Sequence, residues 1–225
     1  MCAGAFLLFL TATPWVAGSE KPDSLAEFDR WWQKYSDATG ETRPAMEKEG
    51  GELAKKRRAT MWDLMASAPE NAIRWSFPEE YYTALPLPIR AWVEQHVRGL
   101  GALLVERNKD GATVRTVVLD DQSWTAWTYG RRLKLSTRDE IPVHGIVLGE
   151  RMALDGSPLE RFPRRDSLWQ ALRQSEGRKT CPICGEPGRI PAAAGDILFW
   201  FDREEHLATT EKALVEKEAL PNGEE

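Results

Sequence analysis

Cysteine and histidine are scarce in this chain, with three of each among 225 residues. Histidine-rich or cysteine-rich chemistry must therefore come from very few positions. No G-x-S-x-G, H-E-x-x-H, P-loop or G-x-G-x-x-G is present, so no catalytic mechanism is written in a short motif. That absence does not exclude an enzyme, but it names no catalytic residue. An excess of positive charge is also lacking: 30 Lys and Arg face 35 Asp and Glu, a net charge of −5, which argues against a nucleic-acid partner. The basic cluster Lys55-Lys56-Arg57-Arg58 lies in a Glu-rich helical pattern and reads as a solvated helix face. Beyond Ser19 no long apolar run remains, so no membrane span is expected there. Repeats and low-complexity tracts are absent.

What is present begins with MCAGAFLLFLTATPWVAG, eighteen residues without a charge and with an apolar run from Ala3 to Leu10. Small residues follow, with Val16-Ala17-Gly18 and Ala17-Gly18-Ser19 as cleavage triplets. Residues 1–18 thus read as a secretory signal peptide, although no Lys or Arg precedes the run. The expected location is periplasmic or secreted. Cys2 lies too early, without a small-residue lead-in, for lipid attachment. Removal of the segment leaves Cys181 and Cys184 as the whole thiol content.

The hydrophobic pattern predicts an α+β fold: N-terminal amphipathic helices, a small mostly antiparallel β core, and a C-terminal unit of strand plus helix carrying the cysteines. Residues 19–99 form the helical portion. Leu25, Phe28, Trp31, Trp32 and Tyr35 recur at helical spacing, with Ser24 as a cap. A second helix is predicted from Gly51 to Pro69, with Leu53, Arg57, Met61, Leu64 and Met65 on one side. ENAIRWSF and PIRAWVEQHVRGL read as further helical pieces, the second entered through Pro86 and Pro88. Residues 100–163 change character. GALLVER, the turn NKDG and TVRTVVLD form a hairpin, and QSWTAWTYG, RRLKLST, PVHGIVLG and RMALDG supply short strands. Residues 164–220 then hold the helix DSLWQALRQSE, the cysteine knuckle, a loop through Pro187, Gly188 and Pro191, the strand GDILFWF, and a helix from Asp202 to Ala219. Residues 221–225, PNGEE, form a frayed tail.

The stretch CPICGEPG admits three chemistries: a metal site, a disulfide or redox exchange. Redox C-x-x-C pairs use an apolar strand before and a helix after the first cysteine. Here RQSEGRKT is polar, and GEPGRIP cannot start a helix. A disulfide across so short a loop removes little unfolded-state entropy and stabilises weakly. A metal needs two further ligands, and FDREEH offers Asp202 and His206 at i and i+4. On the first turn of a helix their Cβ atoms stand about 6 Å apart on one face. Gly185 lets the backbone turn so that amides face the sulfurs. Cys181, Cys184, Asp202 and His206 form a set suited to tetrahedral zinc, with copper as the other metal considered. Asp202 has a competing role as the N-cap of the last helix.

Residues 181 to about 219 resemble the YHS/TRASH type of small metal-binding module. Cys181, Pro182, Cys184 and Gly185 match its first knuckle, Gly195 to Phe201 its strand, and His206 its last ligand position. Asp202 departs from the pattern, because it stands where that family has cysteine. The resemblance implies a metal held by these residues, with a harder, weaker site for soft metals. The stretch from Ala54 to Phe162, including RRATMWDLMASAPENAIRWSFPEEYYTALPLPIRAWVE and YGRRLKLSTRDEIPVHGIVLGERMALDGSPLERF, is similar to leading segments of large exported bacterial proteins. That likeness implies export and a scaffold role, with another exported protein as partner.

His96 reads as a helix-boundary residue and His144 as a satisfied sheet histidine. Trp124 and Trp127, an odd number apart, face opposite sides of a strand. Trp31, Trp32, Trp62, Trp75 and Trp92 read as core or partner-facing surface. The expectation is a non-catalytic exported binding protein with one structural metal, with a metallochaperone or sensor, and an enzyme using a cleft between the helical and β portions, as alternatives.

Overall fold

The computed structural model describes residues 20–162 and 179–219. The expected signal segment (1–18), the helix DSLWQALRQSE and the tail (221–225) lie outside the described residues. The remainder is α+β, with helices first and sheets after, as the sequence pattern predicts.

Helix α1 (Asp23–Asp37) buries the five expected residues Leu25, Phe28, Trp31, Trp32 and Tyr35. Ser24 does not cap it. Pro22 precedes the helix, and Ser24 Oγ instead lies 2.6 Å from Thr60 Oγ1 on α2 (Arg43–Ser67). Helix α2 begins eight residues ahead of the predicted start at Gly51, at Arg43. Pro44 in its first turn suits a helix N-terminus. Gly50 proves to be a contact rather than a break: a Cβ there would stand 2.2 Å from the Trp31 ring, so the missing side chain lets the indole lie against α2. Short helices α3 (Pro69–Arg74), α4 (Glu79–Tyr82) and α5 (Leu87–Arg90) complete this part.

The predicted helix PIRAWVEQHVRGL is cut after one turn, and β1 (Gln95–Arg107) takes its second half. Two interactions override the helical period. Glu94 turns inward to Arg57 of α2, and the next residues pair with β4 (Arg138–Leu148), from Gln95↔Val147 onward. Arg57 is fully buried, in line with its place on the side of Leu53 and Met61 and against its reading as part of a solvated face. Its guanidinium binds Glu94, reaches Asp29 Oδ1 at 3.3 Å and Trp75 O at 3.0 Å, and lies over the Phe28 ring at 5.4 Å. Its neighbours Lys55 and Lys56 are exposed, in keeping with the sequence.

β1, β2 (Thr113–Leu119), β3 (Gln122–Trp127), β5 (Arg151–Leu154) and β4 close into a barrel in that order. All its pairings are antiparallel except β3 with β5. The NKDG turn forms as expected: Asn108 Oδ1 accepts the N–H groups of Asp110 and Ala112, and Gly111 has φ +78°. RRLKLST is not a strand. Gly130–Lys134 is a 3-10 turn, because Arg132 buries its guanidinium against Glu218 and the carbonyls of Asp155 and Pro142. Leu103, Val117, Trp124, Val143 and Met152 fill the barrel, while Ile146, Leu148 and Ala153 pack outward on Met61 and Met65 of α2. Trp124 is buried inside, and Trp127, only partly buried, packs on Arg151. The two do face different surroundings.

A second sheet has the order β6 (Glu160–Arg161), β7 (Ile190–Ala194), β8 (Ile197–Phe201). The segment IPAAA, expected as loop, is thus its central strand. Pro191 is tolerated because β6 reaches only Ala192 and Ala193, and Ala192 and Ala194 bury into a small core with Leu159, Cys181, Phe201 and Leu207. Helix α6 (Glu204–Ala219) follows and is tied to the barrel by Glu218 on Arg132.

Candidate metal centre

The knuckle is a backbone device before it is a chemical one. Thr180 bridges Pro187, Cys181 N–H donates to Glu186 O at 2.8 Å, and Gly185 N–H donates to Cys181 O at 2.9 Å. Gly185 adopts φ +77° with open space around it, so its requirement is conformational rather than steric. This turn hangs from the β7–β8 hairpin, because Arg189 N–H donates to Phe201 O at 2.7 Å. The residue after Phe201 is Asp202, and α6 starts at Glu204, so one strand end and one helix start present Asp202 and His206 to the cysteines.

All four expected residues come together. Ligand atoms of Cys181, Cys184, Asp202 and His206 lie within 4.8 Å of one another, and the group can hold a metal ion. Cys181 Sγ is 3.5 Å from His206 Nδ1. For Zn–S of about 2.3 Å and Zn–N of about 2.0 Å, the edge of a tetrahedron is about 3.5 Å. His206 Nδ1 lies 2.6 Å from Asp202 Oδ1, a hydrogen bond. Ligation by both would open that pair by less than about an ångström. Cys181 is buried and Cys184 exposed, and the two are not bonded to each other.

The electrostatics divide the four groups. Burial opposes the Cys181 thiolate, but the N–H groups of Asp202, Cys184 and Ile183 outweigh it and bring the thiol below its ordinary value. For Cys184 the Glu186 N–H favours the thiolate. Desolvation and the adjoining Cys181 and Asp202 win, and its pKa rises. Asp202 loses by burial, yet bonds from Arg203, His206 and Cys181 hold its carboxyl well below the usual range. Its hydrogen bond to His206, the leading cause, raises the imidazole above its ordinary value. Asp202 supplies the negative charge of the group, and a dication would displace the proton that His206 holds and reverse the penalty on the Cys184 thiolate.

Asp202 does not act as a cap: no helix N–H among the described residues bonds its carboxylate, which faces His206 and, at 2.6 Å, Arg203 Nε. Arg203 is the contributor that sequence reasoning missed. It holds Oδ2, the oxygen that His206 leaves free, and its only sequence signal is adjacency to Asp202.

Of the other histidines, His96 sits in β1 rather than at a helix boundary, and its Nε2 lies 3.1 Å from both Ser76 Oγ and Phe77 O. His144 is buried in β4 as expected, but it is not fully satisfied, because Nδ1 has no hydrogen-bond partner among the described residues. No helix among the described residues is long and apolar enough to cross a membrane. Comparison of the chain with protein families, with characterised proteins and with solved structures gives no match.

Proposed function

We propose that this chain is an exported, non-catalytic binding protein whose C-terminal unit holds one structural zinc ion. The observation that carries the reading is the convergence of two thiols, a carboxylate and an imidazole from two separate segments onto one small volume. Two thiolates with one nitrogen and one oxygen suit zinc. The carboxylate makes the set less suited to Cu(I). A bound ion would link the knuckle to the β8–α6 junction and supplement a small apolar core that is rich in alanine. The likeness of residues 181 to about 219 to YHS/TRASH modules supports a metal, with Asp202 as the departure. Residues 1–18 support export.

The exposure of Cys184 favours a second reading, a carrier or sensor that exchanges its metal. Metal analysis of the purified protein, with Cys181→Ser as control, tests the site. About one zinc per wild-type chain and none in the variant is the expected result. Absence of metal from both, with a Cys181–Cys184 disulfide found by mass spectrometry, would sink it. Loss of thermal stability on chelation supports the structural role, whereas ready exchange with unchanged stability supports the carrier.

A further inference from the structure

Tryptophans and cations alternate across the seam between α2 and the barrel. Lys55, Arg58 and Trp62 fall at i, i+3 and i+7 on α2, in a strip beside the buried Arg57, Met61 and Met65. Trp92 comes from the turn after α5, Trp127 from the end of β3, and Arg151 from the start of β5. The Trp92 ring centre lies 5.8 Å from Lys55 Nζ and 5.9 Å from the guanidinium carbon of Arg58. That carbon is 5.7 Å from the Trp62 ring centre, which also meets the guanidinium of Arg151 at 4.1 Å. Arg151 ends the ladder on Trp127, at 5.1 Å.

The ladder belongs to the surface rather than the core. Trp92 is 37% exposed, Lys55 is exposed, and the other members are half-buried. Gly149, at φ +60°, sets the turn between β4 and β5 against it: a Cβ there would stand 3.2 Å from Arg58 Nη2 and 3.3 Å from the Trp62 ring. Backbone and two indoles therefore restrict the Arg58 guanidinium before any partner arrives. What it lacks is an acceptor. Among the described residues Arg57, Arg74, Arg98, Arg132, Arg161 and Arg203 hold carboxylates. Arg58 has no hydrogen bond or ion pair among the described residues. Arg151 bonds only the carbonyl of Trp62, Nη1 to O at 2.8 Å, although Glu150 adjoins it in the chain. Where acidic residues outnumber basic ones, 35 to 30, two guanidinium groups without a carboxylate leave a local charge open. A stacked guanidinium keeps its N–H edge free for the planar two-oxygen acceptor that fits it, a carboxylate.

A basic, aromatic strip suits several classes of partner, and its geometry separates them. A nucleic acid needs an aromatic face open to a base, and Trp62 already carries two guanidinium groups. An anionic membrane needs apolar side chains free to insert, and Trp62 and Trp127 are held within the ladder. A protein surface needs neither. Tryptophan and arginine dominate the energetics of protein interfaces, and lysine is depleted there. The negative total of the chain opposes an acidic partner at long range, so recognition of one must come from this patch.

We propose that the strip Trp92, Arg58, Trp62 and Arg151 is a docking surface for an acidic segment of a partner protein, in which Arg58 and Arg151 each take a carboxylate and Trp92 packs on the methylene stems. The surface shares no residue with the metal centre, and its test does not read metal. Full-length protein is titrated into labelled hexaglutamate at low salt and followed by fluorescence anisotropy, with hexalysine, hexathymidylate and phosphatidylserine vesicles as the other probes. Hexaglutamate binds saturably and hexalysine does not, while hexathymidylate and the vesicles bind at least about tenfold more weakly than hexaglutamate. Arg58→Gln weakens hexaglutamate about tenfold, and Arg58→Lys, which keeps the charge but loses the fork, about threefold. Trp92→Ala, at an exposed ring, weakens it about threefold and keeps the proposal falsifiable if the arginine variant fails to fold. Lys56→Gln, an exposed charge outside the ladder, changes it by less than about twofold. No saturable binding, or hexathymidylate or vesicles binding as tightly as hexaglutamate, would overturn the proposal. So would Arg58→Gln or Trp92→Ala binding like wild type, or Lys56→Gln losing as much as Arg58→Gln, the mark of diffuse charge.

Discussion

The helix–barrel body and the C-terminal unit keep their shape by different means. The body joins extensive apolar clusters around Trp31, Leu103 and Met61, and Arg57–Glu94 is sealed at its centre. The unit around Cys181 has one small cluster, in which Ala192 and Ala194 offer little surface. Its helix is secured at the far end by Glu218 on Arg132, and by Arg138, whose Nε donates to Glu218 O at 2.7 Å. At the near end stand the four metal-ligand candidates. A region with enough apolar area needs no cross-link, while one without it concentrates polar ties at both ends of a helix.

The strongest way to break the comparison is to strike the body. Arg57→Met leaves Glu94 buried and unpaired, and should lower stability by about 3–5 kcal/mol in chemical denaturation. The double variant Arg57→Met with Glu94→Leu should recover much of that loss, since the cost lies in the orphaned charge rather than in the missing pair. Next comes the unit itself. Cys181→Ser should abolish metal retention and accelerate hydrogen exchange in β7, β8 and the first turn of α6, while the barrel strands keep their protection. Equal acceleration in β1 and β4 would show that the two regions are one cooperative block. A smaller effect is expected from Asp202. Asp202→Cys should tighten retention of zinc and of Cu(I), and Asp202→Asn should weaken it, both read by competition with a chromogenic chelator.

The helical part was legible where one side of the chain meets one core, as in Leu25 through Tyr35. It was illegible where distant partners decide. Nothing near Glu94 announces Arg57, which lies 37 positions earlier, so Trp92, Val93 and Val97 read as a helix although β4 claims the second half of that segment. IPAAA has a single branched residue, Ile190, and no aromatic one, so little in it marks a strand, and its pairing comes from β8. The metal group was readable because ligands need fixed residue types at fixed spacing. Arg203, which only steadies Asp202, carries no such constraint.

The mildest test of the contrast is acid. Burial alone would raise the Glu94 carboxyl, but the charge and hydrogen bond of Arg57 and the Phe77 N–H hold it below its ordinary 4.5. A group depressed on folding stabilises above its unfolded value, and that contribution is lost as pH falls through the folded value. The melting midpoint of the body should therefore decline as pH drops below about 4.5, and Glu94→Gln should flatten that decline. Melts followed by circular dichroism from neutral pH into the acid range would read the slope.

The two-residue strand β6 has a topological consequence. Glu160 and Arg161 leave the barrel side of the chain and lie alongside Ala193 and Ala192. Any cut of the polypeptide between Phe162 and Lys179 would leave the outer edge of the second sheet on one fragment and its middle on the other. The knuckle is thus no transplantable cassette. Its two fragments, mixed, would be each other's missing neighbour, which makes the chain a candidate for reassembly from halves.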